Sequence, residues 1–262
     1  MTNSTSRFES EPDTVYADGA SSAEPFSFDE AVARVFPDMI RRSVPGYTTI
    51  VPMIGLIAAR FARPGTACYD LGCSLGAVTL AMRHSIPHSD GRLIAVDNAA
   101  SMIERCQHYI ALDDAQLPVE LMCADIRDIE YEPASVVALN FTLQFIPVAE
   151  RAPLLTRLRQ CLEPGGALIL SEKIAFADNG EQHLHEMLHR DFKRAQGYSE
   201  MEISRKRNAL EEVLIPETLE THRQRLLDAG FTQVTLWQQS LNFVSLLALA
   251  PGKENALEES SD

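Results

Sequence analysis

T-A-C-Y-D-L-G-C-S-L-G, Thr66 to Gly76, is the stretch whose reading decides the fold. Its first half is short, apolar and bounded by Pro64 and Gly65, which reads as a buried strand. Its second half sets two glycines around a short loop, and Ala77, Val78, Leu80, Ala81 and Met82 follow at helical spacing. Strand, glycine turn and helix together make the nucleotide-binding corner of an α/β sheet. Gly72 permits a tight turn, and Gly76 a close approach of helix or ligand. Asp70 puts a carboxylate at the C-terminal edge of the sheet, where ligands bind in such folds. A phosphate cradle would not favour an acid there, whereas a ligand with an amino group or hydroxyls would.

A second strand, Arg92 to Asp97, ends in another acid 25 residues after Gly72. An acid at that tip grips ribose hydroxyls in dinucleotide folds. The two signals, in this order, predict an adenosine-type ligand without a bound pyrophosphate.

Outward from this corner the chain alternates. Val119 to Ala124 and Ser135 to Phe141 read as strands three and four, residues 149–162 as a helix stopped by Pro164-Gly165-Gly166, and Ala167 to Leu170 as strand five. Ser101 and Glu104 form a capping box for the helix after strand two. This pattern predicts a mainly parallel sheet with helices on both faces. Helices precede the glycine strand: one from Phe28 to Phe36, redirected by Pro37, and one capped by Thr48 after the Pro45-Gly46 turn. Residues 178–213 read as a polar helical insert, and Pro216 to Ala229 as a further helix. Phe231 to Gln238 and Phe243 to Leu249 read as an antiparallel hairpin. A single domain over residues 26–251 is expected, with tails at 1–25 and 252–262.

Composition narrows the function classes. The chain has 262 residues and a formal net charge of −14, which speaks against a protein that grips nucleic acid unaided. No apolar run approaches the roughly 20 residues of a membrane span, and the first residues lack a secretory apolar region. Five cysteines without C-x-x-C spacing predict reduced thiols, a cytoplasmic setting and no zinc site. Within the acidic chain, Arg190, Lys193, Arg194, Arg205, Lys206 and Arg207 concentrate positive charge against Asp191, Glu200 and Glu202. Such a segment suits a carboxylate-bearing ligand, or else forms a solvated helix face.

Two motifs compete. Gly72 to Gly76 also spells G-x-S-x-G, with Ser74 as a hydrolase nucleophile, but no sheet precedes it and Asp70 and Asp97 would go unexplained. His185 to His189 spells H-E-x-x-H, with no third zinc ligand singled out.

D-L-G-C-S-L-G, Asp97, Ala124-Asp125-Ile126 and L-E-P-G-G-A-L-I-L resemble the class I S-adenosylmethionine-dependent methyltransferase fold, with Ser74 in place of the usual middle glycine. That resemblance implies seven strands, the last antiparallel. V-F-P-D-M-I-R-R-S-V-P-G-Y, D-N-A-A-S-M-I-E-R-C, L-N-F-T-L-Q-F, P-G-G-A-L-I-L-S-E-K and D-F-K-R-A-Q-G-Y-S-E-M-E-I-S-R-K-R are similar to the carboxy-S-adenosylmethionine synthase family, from about Phe28 to Leu249. The family makes carboxy-S-adenosylmethionine from S-adenosylmethionine and prephenate, releasing phenylpyruvate; a downstream tRNA carboxymethyltransferase uses the product at wobble uridine. The resemblance implies that Tyr47, Gly72, Cys73 and Ser74 contact S-adenosylmethionine, and that Asp97 holds the ribose beside Asn98. It also implies that Asp125 and Ile126 frame the adenine, that Asn140 closes the site, and that Arg207 pairs with the new carboxylate. A homodimer and no metal are implied as well. The rival readings are an ordinary methyltransferase of a small acid or tRNA, and a non-catalytic S-adenosylmethionine-binding protein.

Overall fold

The computed structural model describes residues 11–14, 28–87, 91–210 and 213–252. Helix α1, Glu30–Ser43, starts where the Asp29 side chain accepts from the Val32 amide (2.9 Å). The sequence predicts that Pro37 redirects this helix, but α1 runs straight through it. Proline inside a helix costs about 3 kcal/mol. Val32, Val35 and Met39 lie on one buried face spanning Pro37, and burying each is worth about 1.5–3 kcal/mol, so packing prevails.

Helix α2, Tyr47–Phe61, follows a 98° bend and is capped by Gly46 in the left-handed conformation, leaving Thr48 inside its first turn. Among the described residues no single helix is long and apolar enough to cross a membrane. Helix α3, Ala77–Ser85, packs against α2 so closely that a Cβ on Gly55 would lie 2.6 Å from the Ala81 carbonyl oxygen.

The strands are β1 (Ala67–Leu71), β2 (Arg92–Asp97), β3 (Val119–Cys123), β4 (Ala134–Asn140), β5 (Leu162–Ala175), the short β6 (Glu217–Thr218), β7 (Gln233–Ser240) and β8 (Phe243–Leu249). Their order is β3-β2-β1-β4-β5-β8-β7, with β6 alongside β5. The first five are parallel; β8 is antiparallel to both β5 and β7. The predicted hairpin is therefore present, and its second strand inserts against β5. The order reverses between β1 and β4, and such a switch point opens a crevice at the strand ends.

Strand alternation sorts the core into two faces. Tyr69, Leu71, Val96 and Leu139 pack toward α5 (Val148–Cys161) and α8 (Leu219–Asp228). Cys68, Leu93, Val136 and Ala138 pack toward α2 and α3, around Ile50, Ile54 and Met82.

Several expected boundaries move, among them that of the helix read from Pro216, which starts at Leu219 because Glu217–Thr218 pair with β5 as β6. β5 begins at Leu162, directly after α5, because Pro164-Gly165-Gly166 joins the strand as an irregularity: Gly165 N donates to Pro251 O (2.8 Å) and Ala250 N to Gly166 O (2.9 Å). Helix α4, Ala100–Leu112, has Ala99 as its cap with no side-chain bond; Ser101 instead donates to the Phe28 carbonyl (2.8 Å), tying α4 to α1. The insert is α6 (Asn179–Ala195) and α7 (Glu200–Leu210). Within the segment read as an N-terminal tail, Asp13 is buried and bonded to Asp38, Tyr198 and Lys206, so residues 11–14 depart from that expectation.

Candidate active site

Above the C-terminal ends of β1, β2 and β4 lies a cavity of about 710 Å³, walled by α1, α2 and the insert. Tyr47, Asp70, Gly72, Cys73, Ser74, Asp97, Asn98, Asp125, Ile126 and Asn140 all line it. Arg207 does not: it is exposed on α7, next to the buried Lys206.

The glycine loop takes its shape from local geometry. Gly72 has φ +79°, and a Cβ there would collide with the Thr142 side chain, which donates to the Leu71 carbonyl (2.8 Å). The loop is fastened to β2 by Asp97, whose Oδ2 accepts from Ser74 N (2.9 Å) and Oδ1 from Ala99 N (2.9 Å). Carboxylate oxygens have further lone pairs, so Asp97 can still accept from a diol. Burial raises its carboxyl pKa against these two amide bonds.

Asp70 is 1% exposed, and Oδ2 accepts from the Thr79 hydroxyl (2.6 Å) at the start of α3. Burial pushes its carboxyl up to about 7; the Thr79 bonds oppose the shift and the Asp97 charge adds to it. Burial next to Asp70 raises the Tyr47 phenol as well. Asp125 is held low by Arg127, which grips both its oxygens (2.9 and 2.6 Å). Asn140 Oδ1 is buried at the tip of β4 without a partner among the described residues. A lone acceptor beside a buried carboxylate fits the ammonium and hydroxyls of S-adenosylmethionine.

The competing motifs do not assemble. The Ser74 hydroxyl turns to the Met102 sulfur (3.5 Å), not to a base. Cys73 is kept a thiol by the neighbouring Cys106 thiol and by burial, so it is no nucleophile. His185 stacks on Phe176 (4.1 Å between centroids), while His189 Nε2 donates to the Ser43 carbonyl (2.8 Å). Among the described residues the metal-spaced cluster is His84, Asp113 and Asp114, away from this cavity.

Of the basic segment read from the sequence, Lys193 and Lys206 reach the cavity, but the reading missed Lys173 and His189 on the same wall. Lys173 at the end of β5, Lys193 and His189 on α6 and Lys206 on α7 also face the cavity. Burial, then Lys173 and Lys206, push Lys193 down to about 7. Burial lowers Lys206 too, opposed by Asp13. Burial and the three lysines push His189 down to about 3. The available signal for Lys173 was its place at a strand tip, like Asp97 and Asn140.

Parallel strands with a terminal antiparallel pair, a glycine loop after β1 and an acid after β2 define a class I S-adenosylmethionine-dependent methyltransferase fold. Residues 69–166 match the family described as a methyltransferase domain. An O-methyltransferase family protein of Burkholderia thailandensis superposes with a TM-score of 0.61 at 19% identity, over 86% of this chain and 61% of that one, a likeness of fold alone. The carboxy-S-adenosyl-L-methionine synthase of Marinobacter nauticus is 62% identical over 226 residues, covering 86% of this chain and 90% of its own. The one from Geobacter metallireducens is 58% identical over 238 residues, covering 90% and 98%. The chain belongs to the carboxy-S-adenosyl-L-methionine synthase family, a family of transferases.

Proposed function

We propose that this enzyme carboxylates the methyl group of S-adenosylmethionine, using prephenate as donor and releasing phenylpyruvate, and so supplies the tRNA wobble-uridine 5-oxyacetic acid modification. The observation that carries this reading is one cavity with two unlike halves. An acid-and-glycine corner suits a sulfonium nucleoside, and the lysine wall beside it suits a dicarboxylate.

Loss of carbon dioxide and hydroxide makes the prephenate ring aromatic. The hydroxide removes a proton from the sulfonium methyl and leaves as water, and the resulting carbanion captures the carbon dioxide. The chain contributes proximity, exclusion of bulk water and binding of the carboxylates, and needs no nucleophile of its own. Arg207 is proposed to pair with the new carboxylate. It is exposed on α7, and its charge reaches Lys173 at the cavity wall. The same reading carries a cytoplasmic homodimer, functionally linked to the downstream tRNA carboxymethyltransferase. Leu56 on α2 is 60% exposed, a large apolar side chain available to such an interface.

The test is incubation with S-adenosylmethionine and prephenate, followed by mass spectrometry. A product heavier than S-adenosylmethionine by one carbon dioxide unit is expected. Unchanged S-adenosylmethionine would return the protein to a methyltransferase or a non-catalytic binder. In Arg207→Leu the carboxylated product should fall sharply; undiminished product would remove Arg207 from the site.

A further inference from the structure

Three lysines from three elements share the cavity wall, but they are not equivalent. Lys206 is occupied: its Nζ donates to Asp13 Oδ2 (3.1 Å), Ser43 Oγ (2.9 Å) and the Tyr198 hydroxyl (3.2 Å). The Nζ atoms of Lys173 and Lys193 have no hydrogen-bond or ion-pair partner among the described residues, although the Lys173 backbone N donates to Gln144 Oε1 (3.0 Å). The acid whose charge reaches Lys173 is Glu186, which accepts from Gln182 Nε2 (2.7 Å) and is not in ion-pair contact. Among the described residues no acid is near enough to support Lys193; Lys173 and Lys206 face it from β5 and α7, with the neutral His189 on its own helix. Lys193 is buried and Lys173 half-buried, and two such poorly solvated ammonium groups facing one cavity are costly unless an anion joins them.

Topology says which anion. Asp125 follows β3, Asp97 ends β2, the glycine loop follows β1 and Asn140 ends β4, so the nucleoside and its sulfonium arm take the slots over β3 to β4. Lys173 sits at β5, two strand spacings or about 10 Å beyond the glycine loop. That slot belongs to a second molecule.

We propose that Lys173 and Lys193 together seat a carboxylate of the anionic co-substrate. This rests on the carboxylation reading above. The seat is completed by the N-terminal segment, because Asp13 neutralises Lys206 and leaves the other two cations for the ligand. A carboxylate bound there also returns a proton to Lys193, so co-substrate binding near neutral pH takes up a proton.

The experiment compares Lys193→Met, Lys193→Arg and Lys173→Met with wild type. It measures the KM for prephenate, the calorimetric Kd for S-adenosylmethionine, and proton uptake on prephenate binding in two buffers of different ionisation enthalpy. Each methionine variant should raise the prephenate KM about 10- to 100-fold with the S-adenosylmethionine Kd unchanged, which also certifies folding. Lys193→Arg should keep the KM within about tenfold and abolish the proton uptake, since arginine stays charged. An unchanged KM in both methionine variants, with wild type making carboxylated product, overturns the lysine seat alone. A weakened S-adenosylmethionine Kd instead assigns the lysines to its own carboxylate and overturns the seat. A wild type that makes no carboxylated product from prephenate overturns both readings.

Discussion

At the scale of the residue, the site works by giving each polar atom a fixed partner and leaving chosen atoms open. Asp97 illustrates both: each oxygen accepts one backbone amide, and each keeps a lone pair for the ligand. Asp97→Asn would turn one of those acceptors into a donor facing the Ser74 or Ala99 amide. Binding of S-adenosylmethionine should weaken about 10- to 100-fold, the loss of one or two charge-assisted bonds. Calorimetric titration would measure this, and unaltered affinity would remove Asp97 from the ribose-binding role. Asp97 and Gly72 were legible in the sequence because their constraints are local: a strand tip for the acid, a left-handed turn for the glycine. The unpartnered state of Asn140 Oδ1 was not legible, since it depends on what the rest of the chain fails to offer.

At the scale of the element, the joints between segments decide what the insert can do. Arg151 on α5 is fully buried and serves four groups. It donates to the carbonyls of Ile146 (2.9 Å), Gln144 (3.0 Å) and Ile215 (2.9 Å), and it pairs with Glu217 on β6. The chain returning from the insert is thus pinned beside β5, whose tip carries Lys173. Arg151→Met keeps much of the bulk but takes the guanidinium from the Ile146 and Ile215 carbonyls, leaves the Gln144 carbonyl to the Ile215 amide (3.1 Å), and leaves Glu217 to Arg225 alone. A loss of about 3–5 kcal/mol is expected in urea denaturation; a loss under about 1 kcal/mol would show that water replaces the guanidinium. The sequence did not reveal this joint, because Arg151 and Glu217 are far apart in the chain and arginine is ordinarily a surface residue. Nor did it reveal that α1 crosses Pro37, where packing outweighs local preference.

At the scale of the whole molecule, buried charge ties stability to pH in two opposite senses. Asp70 titrates at about 7 when folded, against 3.8 as its ordinary value. Its stabilising contribution is fully present below pH 3.8 and is lost as pH rises to about 7, because the folded state holds the proton longer. Glu172, pushed well up by burial, and Asp97 share that direction. Lys193 runs the other way: lowered from 10.5 to about 7, its contribution is present above 10.5 and is lost as pH falls toward 7. Asp70→Asn should therefore flatten, though not abolish, the decline in Tm of the ligand-free protein between pH 4 and 7. Lys193→Met should flatten the rise between pH 7 and 10. Melting curves parallel to wild type in either window would show that the charge is relieved by solvent.

The sequence by itself determined the alternation of strands and helices, the terminal hairpin and the acid-and-glycine corner. Each is written in a short window, as a periodicity of two, a glycine that must turn or a carboxylate at a strand end. Only the tertiary structure decided which cations meet. Lys173, Lys193 and Lys206 come from β5, α6 and α7 and converge on one wall, whereas Arg207, one residue beyond Lys206, is exposed and does not line it. Folding removes water from some charges and leaves it on others, and the burial that makes Lys193 sensitive to an anion is a property of the packed elements around it.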